Sequence, residues 1–395
     1  MSLRHGRPMV SIPGPSVIPD RVLSAMHRPM PNIYEGDLID LSFSVLDDLP
    51  KVARTSQPVF VSVSNGHGAW DMATSNTLSR GDLVLILEAG RFAGSWGSQA
   101  AVSGIRTETL SAVPGYPVDP AAVEERLNAD TGHEIAAILV VQVDTATSVR
   151  NDIAAIRRAI DAAGHPALFM VDCIASLGCE PYEMDEWGVD VTVAATQKGL
   201  MVPPGLGFVW ASDKAMAAHE RADLRSGHWD WTARRTPDAH YQIYCGTPPV
   251  QHLYGMREAL DMLFEEGLEQ VWARHRALGE AVRAAVSMWA VPGALGYVAR
   301  DPDARANSVT TLSTGEVDAD ELRRVCEQQA GLTLGIGLEG FEGRAFRIGH
   351  MGHLNPPMLL GTLGTIEAAL HAMKVPMTGS GVAGAARSLG GVLEV

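Results

Sequence analysis

Short apolar runs alternate with amphipathic stretches along the first 250 residues, and this alternation limits the possible fold more than any other feature. Six runs, rich in β-branched residues, are short enough for buried strands. In the stretch 151–164, Ile153, Ile156 and Ile160 recur at the spacing of one helix face. Alternating strands and helices predict an α/β fold with a mostly parallel sheet of about seven strands sandwiched by helices. The predicted strands are 58–63, 83–88, 136–143, 167–172, 189–195 and 206–211.

The pattern changes near residue 250. Two long helical patterns, 250–267 and 268–289, are followed by short strand-like segments and a further helix near 357–373. We therefore expect a large α/β domain over residues 20–250 and a smaller α+β domain over residues 251–395, with residues 1–19 packed on the smaller one. The small-residue segment 378–391 is expected to be a loose tail.

Charge and cysteine content exclude several functions. The formal net charge is −15, which argues against a nucleic-acid partner or an anionic membrane surface. Cys173, Cys179, Cys245 and Cys326 form no C-x-x-C pair, so neither a metal site nor thioredoxin-like chemistry is expected. No signal peptide and no apolar run long enough to span a membrane is seen. These features predict a cytoplasmic protein with reduced thiols.

Polar residues follow four of the predicted strands, at the sheet edge where α/β proteins bind ligands. They lie in the segments SNGHGAWD (64–71) and DTATS (144–148), at Asp172, and in Thr196-Gln197-Lys198. Each has an ordinary alternative: a Gly-rich turn before a helix, a helix-capping aspartate, or a loop lysine that reaches solvent. A lysine in an apolar site, however, loses its proton readily and can form a Schiff base.

Taken together, these strand ends match the needs of pyridoxal 5′-phosphate. That cofactor requires a lysine, a carboxylate at the pyridine nitrogen and a phosphate cradle. Lys198, Asp172 and the glycine-rich turn at 64–71 supply these groups. Arg347, between Phe346 and Ile348 in a short apolar segment, would be expensive to bury without an anion, which is either a substrate carboxylate or a structural ion-pair partner.

The segment 171–209 resembles the lysine region of class V, fold-type I aminotransferases, in particular the serine–glyoxylate and alanine–glyoxylate group. Segments 75–82, 164–172, 253–275 and 346–352 are also similar, and the resemblance covers roughly residues 9–385. It implies a pyridoxal-phosphate enzyme that works as a homodimer with shared active sites. It also implies a ping-pong transfer of an amino group from a small amino acid, such as serine or alanine, to glyoxylate or pyruvate.

The resemblance also implies roles for individual residues. Lys198 would form the internal aldimine and carry the proton, and Asp172 would pair with the pyridine nitrogen. Arg347 would bind the substrate carboxylate. The other implied cofactor contacts are Phe92 and Ile174 on the two ring faces, Thr145 at the ring, Gly66, His67 and Gln197 at the phosphate, and Tyr244 and Thr247 at the phosphate of the neighbouring subunit.

Some positions depart from the serine–glyoxylate pattern. The segments NIYEGD (32–37) and SGHWDW (226–231) are closer to pyridoxamine–pyruvate aminotransferase, which is the main alternative. That enzyme carries an acidic residue where this chain has His67, and the difference favours a tightly held cofactor over a cofactor used as substrate. A lyase such as a cysteine desulfurase is a further alternative, but it needs a mobile reactive cysteine.

Overall fold

The computed structural model describes residues 2–393, and the fold is built from two β-sheets with helices packed around them. Residues 1, 394 and 395, which the predicted domains include, lie outside the described part. The strands are β1 Met9–Ser11, β2 Val59–Ser64, β3 Leu83–Glu88, β4 Arg106–Ser111, β5 Ile135–Val141, β6 Leu168–Asp172, β7 Val191–Ala195, β8 Gly205–Ala211, β9 Gly296–Tyr297, β10 Val309–Ser313, β11 Leu332–Ile336 and β12 Ala345–Gly349.

The helices separate most of these strands along the chain. They are α1 Asp20–Met26, α2 Asp37–Val52, α3 Gly66–Thr77, α4 Arg91–Val102, α5 Pro120–Ala129, α6 Ile153–Ala162, α7 Asp213–His219, α8 Trp231–Arg235, α9 Val250–Glu266, α10 Leu268–Trp289, α11 Ala319–Ala330, α12 Pro356–Ala372 and α13 Gly381–Gly390. Two short 3₁₀ turns lie at His240–Tyr244 and Pro302–Ala304. Within residues 2–393, none of the helices combines the length and the hydropathy that crossing a membrane requires.

The larger sheet has seven strands in the order β2-β8-β7-β6-β5-β3-β4. Only β8 runs against its neighbours, and the remaining pairs are parallel. Every residue of the central strands β6 and β7 is buried, as expected for strands covered by helices on both faces. The predicted α/β fold with a mostly parallel sheet is therefore confirmed.

The strand β4 was not predicted from the sequence. Its residues, RTETLS, are mostly polar, and they alternate between exposed and partly buried positions. The reason is its place at the edge of the sheet, where one long side and part of one face meet solvent. An edge strand of this kind lacks the continuous apolar run by which the inner strands are recognised.

The smaller sheet has five strands in the order β1-β11-β12-β10-β9. The N-terminal strand β1 pairs in parallel with β11, and the other pairs are antiparallel. The core of the larger sheet continues through α9 as far as Val271, whereas the core of the smaller sheet begins at Leu278. The two cores therefore meet within α10. The domain boundary that the sequence suggested near residue 250 stays a prediction.

The expected loose tail at 378–391 is wrong, because most of it forms α13. Ser380 caps this helix by accepting a hydrogen bond from Ala383 N. The small residues let its backbone lie directly on α10: a Cβ on Gly381 would be 2.3 Å from Trp289 Nε1, and one on Gly384 would be 2.9 Å from the Ala284 carbonyl oxygen. The composition that suggested a loose segment instead permits close helix packing.

Candidate active site

A cavity of about 240 Å³ lies at the carboxyl ends of the central strands of the larger sheet. Eight of the predicted site residues line it, namely Gly66, His67, Phe92, Thr145, Asp172, Ile174, Gln197 and Lys198. Residues that the sequence did not single out also line it, among them Gly14, Pro15, Asn65 and Trp70. The structure therefore brings together the groups from four strand ends and adds part of the N-terminal segment.

Lys198 follows β7 by three residues, and its side chain is partly exposed to the cavity but surrounded by protein. Burial and, to a lesser extent, the charge of Arg347 lower the pKa of its amine to about 8, although the charge of Asp172 opposes the shift. The amine donates a hydrogen bond to the carbonyl oxygen of Pro13. A lysine with such a lowered pKa is a usable nucleophile near neutral pH.

Asp172 is the last residue of β6 and is 3% exposed. Trp70 Nε1 donates to one carboxylate oxygen at 2.8 Å, and Ile174 N donates to the other at 2.7 Å. Burial nevertheless raises the pKa of Asp172 to about 7. A cationic partner in the cavity would favour the charged carboxylate, and a protonated pyridine nitrogen is such a partner.

The start of α3 forms one wall of the cavity, and part of its backbone is already hydrogen-bonded. The side chain of Asn65 caps the helix and accepts from His67 N at 3.0 Å and Gly68 N at 3.4 Å. At Gly66 a Cβ would be 2.4 Å from Ile174 Cδ1, so any larger residue there would force the Ile174 side chain to move. The helix N-terminus still presents a positive dipole end to the cavity.

Two further groups make the cavity suitable for an anion near α3. Gln197 lines the cavity, and its amide nitrogen is a donor suited to an anion, whereas its buried Oε1, which has no partner within residues 2–393, can only accept a hydrogen bond, for example from a water. Burial lowers the pKa of His67, and Arg91 adds to the effect, which keeps this imidazole uncharged at neutral pH. A neutral imidazole avoids the repulsion that a carboxylate would exert on a phosphate.

Asp144, the first residue of the predicted strand-end segment DTATS, is a buried carboxylate to which the sequence assigned no role of its own. It accepts from Phe92 N at 2.8 Å and Ala146 N at 2.8 Å, and thereby fixes the start of α4 next to the segment that carries Thr145. A Cβ on Gly90 would be 2.4 Å from the Asp144 carboxylate carbon, so this contact requires glycine. Asp144 thus positions two of the predicted cofactor contacts, Phe92 and Thr145.

Arg347 lies at the centre of β12 and is 8% exposed. Its Nη1 donates to the Thr145 carbonyl oxygen at 2.9 Å, and its Nε donates to the Ile336 carbonyl oxygen at 2.6 Å. Burial lowers its pKa to about 10, so it stays charged at neutral pH. In the described part of the chain it forms no ion pair with a carboxylate, so the structural ion pair left open by the sequence is not seen.

The structure does not bring Tyr244 or Thr247 to this cavity. Tyr244 is 2% exposed, and burial raises the pKa of its phenol to about 12. Thr247 is exposed on the surface. Their roles at the phosphate of a neighbouring subunit stay predictions.

No group of three or more His, Cys, Asp and Glu side chains within residues 2–393 is arranged to hold a metal ion. His350 is fully buried, and its two ring nitrogens contact the Asn307 carbonyl oxygen and the Thr310 hydroxyl. Burial lowers its pKa to about 3, so it is a neutral structural residue.

These residues fit pyridoxal 5′-phosphate. Lys198 supplies an amine with a lowered pKa, Asp172 a buried carboxylate that forms no ion pair within residues 2–393, and Gln197 an amide donor in the same cavity wall as the N-terminus of α3. This fold with this set of side chains defines a fold-type I pyridoxal-phosphate enzyme.

Comparison with known proteins identifies the family. The Aminotransferase class-V family model matches residues 52–341. The serine–glyoxylate aminotransferase of Methylorubrum extorquens is 41% identical, covering 98% of this chain and 97% of the relative. The L-aspartate–glyoxylate aminotransferase of Paracoccus denitrificans is 38% identical, over 95% of this chain and 94% of the relative. The crystal structure of pyridoxamine–pyruvate aminotransferase from Mesorhizobium loti superposes with a TM-score of 0.90 at 26% identity, over 100% of both chains.

The chain belongs to the class V aminotransferases. It is a pyridoxal 5′-phosphate-dependent transaminase, as the sequence predicted.

Proposed function

We propose that the protein transfers an amino group from a small amino acid, serine, alanine or a similar one, to glyoxylate or pyruvate by a ping-pong route. The observation that carries this proposal is the presence of Lys198 and Asp172 in the wall of one cavity of the class V fold, with Arg347 outside that wall but hydrogen-bonded to the carbonyl oxygen of Thr145, which belongs to it. The names of the relatives support glyoxylate as acceptor, since both of the curated relatives described above use it. The cavity, which must also hold the cofactor, favours small substrates.

Two residues of the larger sheet carry out the chemistry in this proposal. When bound, pyridoxal phosphate supplies a ring that accepts the electrons left by removal of a proton from the substrate. The Asp172 carboxylate, whose orientation is fixed by the donors Trp70 and Ile174, would pair with the pyridine nitrogen and favour its protonated form. Lys198 Nζ would accept and carry the proton that leaves the substrate Cα.

Arg347 positions the substrate. Its Nε and Nη1 are held by the Ile336 and Thr145 carbonyl oxygens, which leaves Nη2 as the free donor edge. A guanidinium fixed in this way binds a carboxylate with a defined orientation. Because it stands beside Lys198, it would place the substrate Cα within reach of the lysine amine.

We further propose that the protein acts as a homodimer. Exposed aromatic residues lie around the 3₁₀ turn at 240–244, namely Tyr34, Phe43 and Tyr241. The rings of Tyr34 and Tyr241 lie 6.4 Å apart, and the ring of Phe43 lies 6.1 Å from that of His240 in the same turn, so these residues form one patch. Contiguous patches of this kind usually mark protein interfaces. The patch adjoins Tyr244 and Thr247, which the resemblance assigns to a neighbouring subunit's phosphate.

Cytoplasmic placement stays a prediction, supported by four free cysteines.

Pyridoxamine–pyruvate transamination is the second candidate, because the Mesorhizobium loti enzyme shares the fold over its whole length. His67 is the observation against it. This imidazole lies at the cavity wall, where the resemblance implies an acidic residue for a pyridoxamine–pyruvate aminotransferase, and the pKa of His67, lowered by burial, leaves it neutral. The loop therefore does not repel a phosphate, which favours a cofactor that stays bound.

A desulfurase function is disfavoured by the positions of the thiols. Cys326 is buried in α11, and burial raises its pKa to about 12. Cys173 and Cys179 are also buried, whereas the exposed Cys245 lies outside the cavity. Within residues 2–393 no cysteine thus combines exposure with access to Lys198.

A half-reaction screen tests the proposal. The protein loaded with pyridoxal phosphate would be mixed with single small amino acids, and the cofactor-free protein with pyridoxamine, while the absorbance of the lysine-bound cofactor is followed. We expect serine or alanine to remove the absorbance, glyoxylate to restore it, and Lys198→Ala never to show it. Turnover of free pyridoxamine without turnover of serine or alanine would establish the second candidate. Absence of the absorbance in the wild type would refute both.

A further inference from the structure

Residues 12–16, here called the N-terminal strap, connect β1 to the lysine segment. Ser16 N donates to the Gln197 carbonyl oxygen at 2.9 Å, and Ser16 Oγ donates to the Lys198 carbonyl oxygen at 2.7 Å. The Lys198 amine donates in turn to the Pro13 carbonyl oxygen. The strap therefore contacts the lysine at both its backbone and its amine.

Gly14 lies against the lysine side chain between these contacts. A Cβ at this position would be 2.5 Å from Lys198 Cδ and Cε and 2.6 Å from Nζ. Its φ of +96° is also one that other residues rarely adopt. Both the backbone conformation and the available space therefore require glycine where the strap passes the amine.

The strap also packs against β11 and β12 beside Arg347. A Cβ on Gly335 would be 2.8 Å from Pro13 Cδ and 3.0 Å from Arg347 Cβ, so the Gly335 backbone is enclosed between the proline ring and the arginine stem. Ser11, the residue directly before the strap, donates from its Oγ to the Gly349 carbonyl oxygen of β12 at 2.8 Å. One continuous set of contacts thus joins the strand of Arg347 to the amine of Lys198.

Pro13 is the hydrogen-bond acceptor that the structure provides for the lysine amine. In the described part of the chain Lys198 Nζ donates only to Pro13. The Asp172 carboxylate, which lies nearby, accepts instead from Trp70 and Ile174. An enclosed ammonium needs such an acceptor, because burying it without one is costly.

We propose that the Pro13 carbonyl oxygen is the docking acceptor for the Lys198 amine whenever the lysine is not joined to the cofactor, and that the strap is a positioning element for this lysine. The inference rests on the proposed function, in which the lysine leaves and rejoins the cofactor in each turnover.

The test measures the free lysine itself, without turnover. Cofactor-free protein is reductively methylated over a range of pH, and the labelling rate of Lys198 is read by mass spectrometry of its peptide. Ser16→Ala removes the hydroxyl contact, and Gly14→Ala places a methyl group where the amine docks. Gly81→Ala is the matched control, since Gly81 has a φ of +86° but nothing within 4 Å of an added Cβ.

Ser16 Oγ contacts the Lys198 backbone and not its amine, so Ser16→Ala acts by freeing the strap and loosening the Pro13 carbonyl oxygen. We expect this variant to label up to about fivefold faster than the wild type at neutral pH, the factor for one lost hydrogen bond. Its labelling midpoint should move to lower pH, because an undocked ammonium loses its proton more easily. Gly14→Ala should show a larger change and Gly81→Ala none. Should Gly14→Ala fail to fold, as judged by circular dichroism, Ser16→Ala decides.

Pyridoxal phosphate distinguishes failure of this inference from failure of the proposed function. If the cofactor protects wild-type Lys198 from labelling, but both strap variants label at the wild-type rate and midpoint, the docking role is overturned and the proposed function stands. If the cofactor gives the wild type no protection, Lys198 is not its anchor and the proposed function itself is overturned.

Discussion

Replacing Asp172 by asparagine should make the stability of the cofactor-free protein less dependent on pH. Burial raises the pKa of Asp172 from 3.8 to about 7, so between these values the folded protein binds a proton that the unfolded chain has released. The free energy of unfolding of the wild type therefore falls as pH rises through this window. The fall amounts to about 4 kcal/mol, at about 1.36 kcal/mol for each pKa unit. Asp172→Asn lacks this contribution.

Urea denaturation of cofactor-free protein, followed by tryptophan fluorescence at fixed protein concentration, measures the effect. Between about pH 5 and pH 8, the unfolding free energy of Asp172→Asn relative to the wild type should increase by about 3 kcal/mol. The altered hydrogen bonds to Trp70 and Ile174 add an offset that changes little with pH. The exposed Asp47→Asn is the control, for which the difference from the wild type should stay constant. If the difference in unfolding free energy between Asp172→Asn and the wild type also stays constant with pH, Asp172 does not have the raised pKa assigned to it here.

The same series repeated with pyridoxal phosphate tests what the carboxylate is for. A ligand at a hundred times its Kd stabilises the folded state by about 2.7 kcal/mol. We expect the wild type to gain this stabilisation most strongly above pH 7, where Asp172 is charged and can pair with the pyridine nitrogen. Asp172→Asn should gain clearly less. Equal gains in both proteins would mean that Asp172 does not contact the cofactor.

Three further substitutions test other parts of the site. Gly66→Ala should lower the affinity for pyridoxal phosphate about tenfold, because the added methyl group pushes Ile174 into the cavity. Absorbance titration measures this affinity, and Gly361→Ala is the control, since its added methyl group has no atom within 4 Å. Arg347→Lys should raise the KM for the oxo acid at least about tenfold while the cofactor absorbance remains, and an unchanged KM would contradict carboxylate binding. Phe43→Arg should convert a dimer to monomers in light scattering, because a charge is costly in an apolar interface, and an unchanged mass would place the interface elsewhere.

The main elements of the larger sheet could be predicted from the sequence because its inner strands are continuous apolar runs. Asp172 and the lysine segment follow two such runs, and in a parallel sheet the carboxyl ends of neighbouring strands meet at one edge. Their proximity thus followed from local pattern alone. β4 escaped prediction because edge exposure leaves it polar.

The groups that support the site could not be predicted, because each depends on contacts between distant parts of the chain. Trp70 donates to Asp172 across 102 positions, and Pro13 accepts from Lys198 across 185 positions. The sequence around Trp70 or Pro13 contains no pattern that indicates its hydrogen-bond partner. Asp144 is likewise an ordinary loop aspartate in the sequence, and only its burial beside Phe92 N shows what it holds.

The two sheets also separate the tasks of this enzyme. Asp172 and Lys198 belong to the larger sheet, whereas Arg347 comes from β12 of the smaller sheet and meets the larger one through the Thr145 carbonyl oxygen. Laboratory evolution of a new amino donor can therefore concentrate its libraries on the smaller-sheet residues around Arg347, such as Ile336, and leave the strand ends of the larger sheet untouched.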